Sequence, residues 1–543
     1  MIKKTTSIDM GIAEGCGLLM AFTLPIVIPL ISSSEILFRG WLEPLALVAL
    51  VPLLYRLREA SPRRAFGLGV LAGVGYFLLS LYWLDVAMTT FGHMPRYLSL
   101  PVLFLLVGFL ALFWGTALWA AVRVRKYCGL EFWITLPCVW VALEFLRNYV
   151  LTGFPWASLG HTQARTLWLA QLSSLGGVYL VAFVVILSNT VLEALWSWWR
   201  QKGPLPRTGL IVWAAVLGLS SIYSAARLSG SPAPEGARRI RAAVVQGNLD
   251  EKVDLRGWAG QGFVFMLMLQ QSRQAEAEGA ELVVWPEGTL PGAVRPGTDT
   301  FEPFAIHSVF PKRSELIIGG VTRGSQEGKT VLTNSAFLTG PDLRIRARYD
   351  KRHLVPFGEY VPLASILPYE WFIPAGAAFF SPGPDHRPLE ASAGKLGMLI
   401  CYEAIFPEVA RETVDLGAQV LVNITNDSWY GFSSAPYQHL AIARMRAVET
   451  GRFMLRAANT GVSAVIDPRG RVLERIPVGL VSTESDRAHP ADLVPAARLT
   501  RTVALLDGRT VYVVLGDLFA WLCSLAALGL LGWSFLSARR QKS

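Results

Sequence analysis

The rhythm of apolar and polar positions changes along the chain and marks out two kinds of structure. Long apolar runs cover roughly 11–32, 41–55, 66–86, 99–122, 131–150, 167–198 and 209–227, and another lies near 511–536. A membrane-spanning helix needs about 20 apolar residues, so the pattern predicts a bundle of about eight transmembrane helices. The second run is short for a span. The first contains Pro25 and Pro29, and proline within a helix removes a backbone hydrogen bond and kinks it. Residues 238–500 read differently: short β-rich runs such as "RIRAAVVQGN", "AELVVWPEG", "SELIIGGV", "KLGMLICYE" and "AQVLVNITND" alternate with polar stretches and with helical candidates at 262–279 and 434–449. Nearly continuous apolar strands belong to sheets covered on both faces. The expected organisation is therefore helices 1–7 in residues 1–230, an α/β domain at 238–500, and an eighth membrane helix at 508–538.

Charge gives the bundle a direction. Lys3 and Lys4 precede the first run, and Arg56, Arg58, Arg63 and Arg64 follow the second. Arg123, Arg125 and Lys126 follow the fourth, Arg200, Lys202 and Arg207 the sixth, and Arg539, Arg540 and Lys542 the eighth. With eight spans every cluster falls on one side, which the positive-inside rule makes cytoplasmic; the 238–500 domain then faces the opposite side. Composition agrees with a membrane protein: 52% of residues are hydrophobic and 17% charged, against about 25% charged in soluble proteins. The net charge of +10 is spread in these short clusters rather than gathered in a stripe, so it predicts no nucleic-acid partner. The five cysteines are scattered without metal-ligand spacing, and four read as small buried hydrophobes.

Cys401 is the exception. In "LGMLICYEAIFPE" it ends an apolar strand, with a helix-compatible segment after it. A nucleophile on such a strand-to-helix turn is exposed and close to backbone N–H groups. Two other strands end on reactive residues: Glu287 in "LVVWPEGTLPG", and Lys351 with Glu359 in "RYDKRHLVPFGEYVP". Together they form a chemical set. A carboxylate takes the thiol proton, the thiolate attacks a carbonyl, and an ammonium stabilises the oxyanion.

The segments "WPEG", "YDKRHLVPFGEY" and "ICYE" resemble the three motif regions of the nitrilase (carbon–nitrogen hydrolase) superfamily, whose catalytic set is Glu-Lys-Cys. With its membrane helices the whole chain resembles the apolipoprotein N-acyltransferase family of the bacterial envelope, a likeness that extends to "VVQGN", "GFPWASLGHTQ" and residues 423–467. The resemblance implies an αββα sandwich on a membrane bundle in the inner membrane, with the catalytic domain in the periplasm. It implies a two-step acyl transfer without metal or soluble cofactor. Cys401 would take an acyl chain from a phospholipid, preferably from sn-1, as a thioester, with Glu287 as general base and Lys351 and the Tyr402 backbone N–H on the oxyanion. The acceptor would be the α-amino group of a diacylated apolipoprotein, in the final step of lipoprotein maturation. Glu359 is expected to orient Lys351 or share its proton work, and Glu403 to support the nucleophile. Trp429 and Tyr430 resemble a substrate-contacting loop, or else anchor the domain at the membrane interface. Many relatives carry an aromatic residue where this chain has Val253.

The apolar, Pro/Gly-rich segment 363–383 reads as a lid for acyl chains, with Trp371, Phe372 and Phe379 toward lipid. In the 153–163 stretch, Gly153, Pro155 and Trp156 predict a tight turn at the membrane surface, with His161 structural; Glu144 and Arg147 are spaced to pair within one helical turn. The competing enzyme is a membrane-tethered nitrilase-type amidase with water as second nucleophile; the apolar runs favour lipid substrates.

Overall fold

A computed structural model describes residues 2–26, 42–201, 204–248, 258–290, 292–301, 311–326, 329–360, 380–384, 387–478 and 495–541. Among these, five helices are long and apolar enough to cross a membrane: Pro62–Leu81, Arg96–Cys128, Ser173–Gln201, Arg207–Leu228 and Leu518–Arg540. Three apolar runs give less. The first forms the helix Ile2–Ala21, which takes in Lys3, Lys4 and Asp9 and ends before Pro25. The second breaks into Glu43–Leu47 and Val51–Leu57, each opened by a proline. The fifth forms Phe132–Arg147, of 16 residues.

Members of the second and fourth basic clusters meet at one end of this bundle. Asp9 accepts Arg56 Nε at 2.6 Å and also pairs with Arg64. Arg58 bridges Glu193 at 2.6 Å and Glu131 at 2.7 Å, and Arg125 donates to the Arg58 carbonyl at 3.0 Å. Arg123 donates to Ser534 at 3.1 Å and lies 3.7 Å from the centre of the Phe535 ring. Residues far apart in sequence thus share one charged cap.

The α/β part holds two sheets. Its strands are β1 (Arg239–Gln246), β2 (Leu282–Val284), β3 (Ala293–Val294), β4 (Glu315–Gln326), β5 (Lys329–Thr339), β6 (Ile345–Asp350), β7 (Leu389–Ala391), β8 (Gly394–Ile400), β9 (Val420–Thr425), β10 (Met454–Ala458), β11 (Ser463–Ile466), β12 (Val472–Ile476) and β13 (Ala497–Ala504). One sheet has the order β13-β1-β2-β4-β5-β6, with β3 on β4; the other runs β12-β11-β10-β9-β8-β7. The pairs β1–β2, β2–β4, β8–β9 and β9–β10 are parallel.

Alternation along the strands explains the layers, because successive side chains point to opposite faces. Val244, Val284, Leu338, Met398, Ile400 and Val422 fill a core between the sheets. Val245, Val283 and Trp285 face outward onto Phe265, Met268 and Leu269 of the helix Trp258–Ala277. On the other side Leu399, Leu421 and Met454 pack against Val409, Val414 and Ile442, in a cluster continuous with bundle residues such as Trp114 and Trp140. The helices Pro407–Asp415 and Ala435–Thr450 therefore lie between the second sheet and the membrane bundle.

The two parts interlock at a helix break. Within Ser173–Gln201, Gly176 and Gly177 leave helical geometry, Gly177 at φ 66° and ψ −174°. A Cβ at Gly177 would lie 2.7 Å from the Tyr512 ring. The freed Val178 N–H donates to Glu449 of the helix Ala435–Thr450 at 2.9 Å, so a buried amide of the broken helix still finds a partner.

Candidate active site

Glu287 follows β2, Lys351 follows β6 and Cys401 follows β8, so all three leave the ends of strands, where α/β folds gather ligand and catalytic groups. Lys351 is buried, and its Nζ donates to Glu359 Oε1 at 2.9 Å and lies 3.8 Å from Glu287 Oε1. Burial alone would favour the neutral amine. The carboxylates of Glu359 and Glu287 outweigh it and hold Lys351 as an ammonium well above its ordinary range. Asn334, on the inward row of β5, ties the two carboxylates together: its Nδ2 donates to Glu287 Oε1 at 2.6 Å and to Glu359 Oε1 at 2.9 Å. The Asn426 N–H donates to Glu287 Oε2 at 2.9 Å. Burial pushes the Glu287 carboxyl upward; Lys351 and the two amide donors oppose that shift.

Cys401 opens a short 3₁₀ turn, Cys401–Ile405, and has φ 50°. A non-glycine residue in this left-handed region costs about 1–3 kcal/mol and persists only where its surroundings hold it. The thiol is buried, which raises its pKa; Glu287 raises it further, while Lys351 and a hydrogen bond from Thr425 lower it. At rest the thiol keeps its proton beside a carboxylate able to take it and an ammonium able to hold the charge that follows.

Glu403 is fully buried behind the turn and collects four donors. Oε2 accepts Ile400 N at 2.7 Å, while Oε1 accepts Arg352 N at 2.7 Å, Tyr349 Oη at 2.9 Å and His353 N at 3.3 Å. It clasps the strand that ends on Cys401 to the Lys351 loop. Glu359 accepts Val355 N at 2.8 Å through its other oxygen and so fixes the reach of Lys351.

The bundle supplies the wall around this turn. His353 stacks on Phe406 with ring centres 3.6 Å apart, and its Nε2 lies 3.0 Å from the Thr152 carbonyl. The Tyr402 hydroxyl reaches the Gly153 carbonyl at 3.5 Å. Leu151, Thr152 and Gly153 all have positive φ, the tight turn expected after the fifth run. Trp429 and Tyr430 separate in role: Trp429 is exposed, whereas Tyr430 packs against Trp83 and Trp156 with centres 4.9 and 6.1 Å apart. Glu144 and Arg147 face the buried 153–163 turn, Glu144 accepting Leu159 N at 2.8 Å and Arg147 donating to Ser158 at 2.8 Å. Trp371, Phe372, Phe379 and Val253 lie outside the described residues.

The sequence reading missed Asn334 and a second network behind Cys401. Asp427 accepts Thr425 Oγ1 at 2.9 Å and Arg456 at 2.7 Å, and its Oδ1 lies 3.1 Å from His439 Nδ1; His439 Nε2 lies 3.1 Å from the Cys401 carbonyl oxygen. The available signal was polar residues on core-facing rows: Asn334 shares its row with Ala336 and Leu338.

Comparison with known proteins covers both parts. A family model described as the apolipoprotein N-acyltransferase N-terminal domain matches residues 34–191, and one described as carbon-nitrogen hydrolase matches residues 241–479. A Geobacter metallireducens protein named apolipoprotein N-acyltransferase is 37% identical, over 89% of this chain and 89% of its own length. Its namesake from Azotobacter vinelandii is 32% identical over 97% of this chain and 96% of its own. That from Caulobacter vibrioides is 35% identical over 77% and 78%.

Proposed function

This chain belongs to the apolipoprotein N-acyltransferase family, and from that premise we propose that it N-acylates lipoproteins through a thioester on Cys401, with a membrane phospholipid as acyl donor. Lipoprotein N-acylation by an acyltransferase is the family's activity; the donor, the intermediate and the residue roles are our reading. One observation carries it. Glu287, Asn334, Lys351 and Glu359 form a single hydrogen-bonded cluster that acts electrostatically on a strained, buried cysteine.

In the first half-reaction Cys401 Sγ bonds to the ester carbonyl carbon while its proton passes to Glu287. Lys351 and the Tyr402 N–H hold the oxyanion. As it collapses, the ester C–O bond breaks and Glu287 returns the proton to the departing lysophospholipid oxygen. In the second half-reaction the amine of the diacylglyceryl-cysteine attacks the thioester carbon and gives a proton to Glu287. The C–S bond then breaks, and that proton restores the thiol. Glu359 and Glu403 hold Lys351 and the nucleophile turn from outside the reacting atoms.

We also propose that the bundle crosses the bacterial inner membrane eight times, with the charged cap at the Arg58–Glu193 end in the cytoplasm and the two-sheet domain in the periplasm. The shared end of the second and fourth basic clusters supports this orientation. The segment 363–383 remains our candidate lid.

The test is chemical. Purified protein is incubated with phospholipid and no acceptor, and adducts are mapped by intact and peptide mass spectrometry. A hydroxylamine-sensitive acyl group on Cys401, absent from Glu287→Gln, is the expected result. A reactive Cys401 with bound phospholipid and no adduct would overturn the thioester reading and favour small-amide hydrolysis.

A further inference from the structure

We propose that His439 sets the orientation of the Cys401–Tyr402 peptide plane: by donating Nε2–H to the Cys401 carbonyl it directs the opposite edge of that plane, the Tyr402 N–H, at the acyl oxygen. The inference deepens the proposed function and rests on its assignment of Cys401 and the Tyr402 N–H.

The peptide bond is planar and almost always trans, so a carbonyl and the following N–H point in opposite directions. Whatever grips the Cys401 carbonyl therefore also aims the Tyr402 N–H. The grip is needed because Cys401 sits at φ 50°, a conformation that relaxes unless its surroundings hold it. Rotation of this plane would turn the amide away and present a carbonyl, with its negative end, to the developing oxyanion.

His439 is placed to prevent that rotation. It is fully buried in the helix Ala435–Thr450, with Nε2 at 3.1 Å from the Cys401 oxygen. A carbonyl only accepts, so this contact binds only when Nε2 carries hydrogen. The ring is fixed from two other directions: Nδ1 lies 3.1 Å from Asp427 Oδ1, and the Trp156 ring lies against it with centres 5.5 Å apart. Both ring nitrogens face acceptors, so both contacts are hydrogen bonds only when each nitrogen carries a proton; the Asp427 carboxylate, held also by the Thr425 hydroxyl and the Arg456 guanidinium, is then the counter-charge.

The same frame returns to the nucleophile's strand. Arg456 also donates to Asn423 Oδ1, and Asn423 Nδ2 donates to the Leu399 carbonyl at 2.9 Å. The frame holds Cys401 from both sides, and His439 is its contact with the reacting peptide.

A comparison of two reactions at one sulfur tests this. Acylation by phospholipid forms an oxyanion; alkylation by iodoacetamide forms none. Both are measured on full-length protein in detergent with phosphatidylethanolamine micelles, in single turnover, for wild type, His439→Leu and His439→Gln. Removing one well-placed oxyanion donor costs about 10²–10³ in rate. His439→Leu should lose acylation on that scale and keep its alkylation rate, and His439→Gln, which restores an amide donor at nearly the same reach, should recover most of the acylation. Equal loss of both reactions in His439→Leu would indicate a general structural role and overturn the inference. Wild-type acylation in His439→Leu, or no recovery in a His439→Gln protein that alkylates normally, would also overturn it. A wild-type enzyme that forms no acyl-Cys401 defeats the proposed function itself, a result visible before any variant is compared.

Discussion

Glu359→Gln is the most informative single change at the cluster, because it alters charge while keeping shape. The carboxylate receives three donors: Lys351 Nζ at 2.9 Å, Asn334 Nδ2 at 2.9 Å and Val355 N at 2.8 Å. A glutamine offers one accepting oxygen and an NH₂, so at least one of those donors must face another donor. Lys351 also loses its nearest counter-charge and is left with Glu287, 3.8 Å away. Breaking one partner from a buried ion pair costs about 3–5 kcal/mol. Part of that will appear as a lower melting temperature. The rest should appear in the reaction, since Lys351 shifts toward Glu287, away from the oxyanion and onto the base. If about 3–4 kcal/mol of transition-state stabilisation is lost, acylation slows about 10²–10³-fold at 1.36 kcal/mol per tenfold. The assay is single-turnover acylation of Cys401 from phospholipid, followed by intact mass at a temperature well below the melting transition. A Glu359→Gln protein that acylates at the wild-type rate would refute the view that this carboxylate positions Lys351.

Other consequences concern pH, the helix break and the junction of the two parts. Burial raises the Glu287 pKa, and a base works only when ionised, so acylation should rise with pH along a limb displaced above the ordinary carboxyl range of about 4.3; a pH–rate profile with that limb at or below the ordinary range would contradict the assignment. Gly177→Ala places a Cβ 2.7 Å from the Tyr512 ring in a backbone conformation reserved for glycine, and should destabilise the protein by at least about 1–3 kcal/mol in thermal or denaturant unfolding. Arg469 donates to four consecutive carbonyls, Leu228, Ser229, Gly230 and Ser231, just after the helix Arg207–Leu228. Arg469→Ala should therefore make the 228–236 linker more sensitive to limited proteolysis, while Cys401 stays reactive to iodoacetamide.

The candidate site residues are legible in order along the chain. Glu287 and Cys401 each follow an apolar run and Lys351 follows the alternating run "RIRARYD", and local pattern is enough to place such residues at strand ends, because side-chain direction has a period of two in any strand. The apolar runs and their basic flanks likewise follow from composition: lipid requires long apolar helices, and charges gather where helices emerge. Even so, Pro44 and Pro52 break the second run into short turns, a local effect that average hydropathy does not register.

What the sequence left open was contact between distant residues. Asn334 looked like one more strand residue, and only the pairing of β5 between β4 and β6 brings it to both carboxylates. Glu403 was read as a neighbour of Cys401; the fold turns its carboxylate backward to four donors. Glu144 and Arg147 attract one another electrostatically, as the helical spacing predicts, but their hydrogen bonds go to Leu159 and Ser158 of the returning 153–163 turn. His439 lies 38 residues from Cys401, and no periodicity joins them. Sequence determined which groups each segment carries and which face they take, because those depend on local geometry. Tertiary structure decided which groups meet, and so their charge states, because desolvation and Coulomb forces depend on distances that only the packed chain sets.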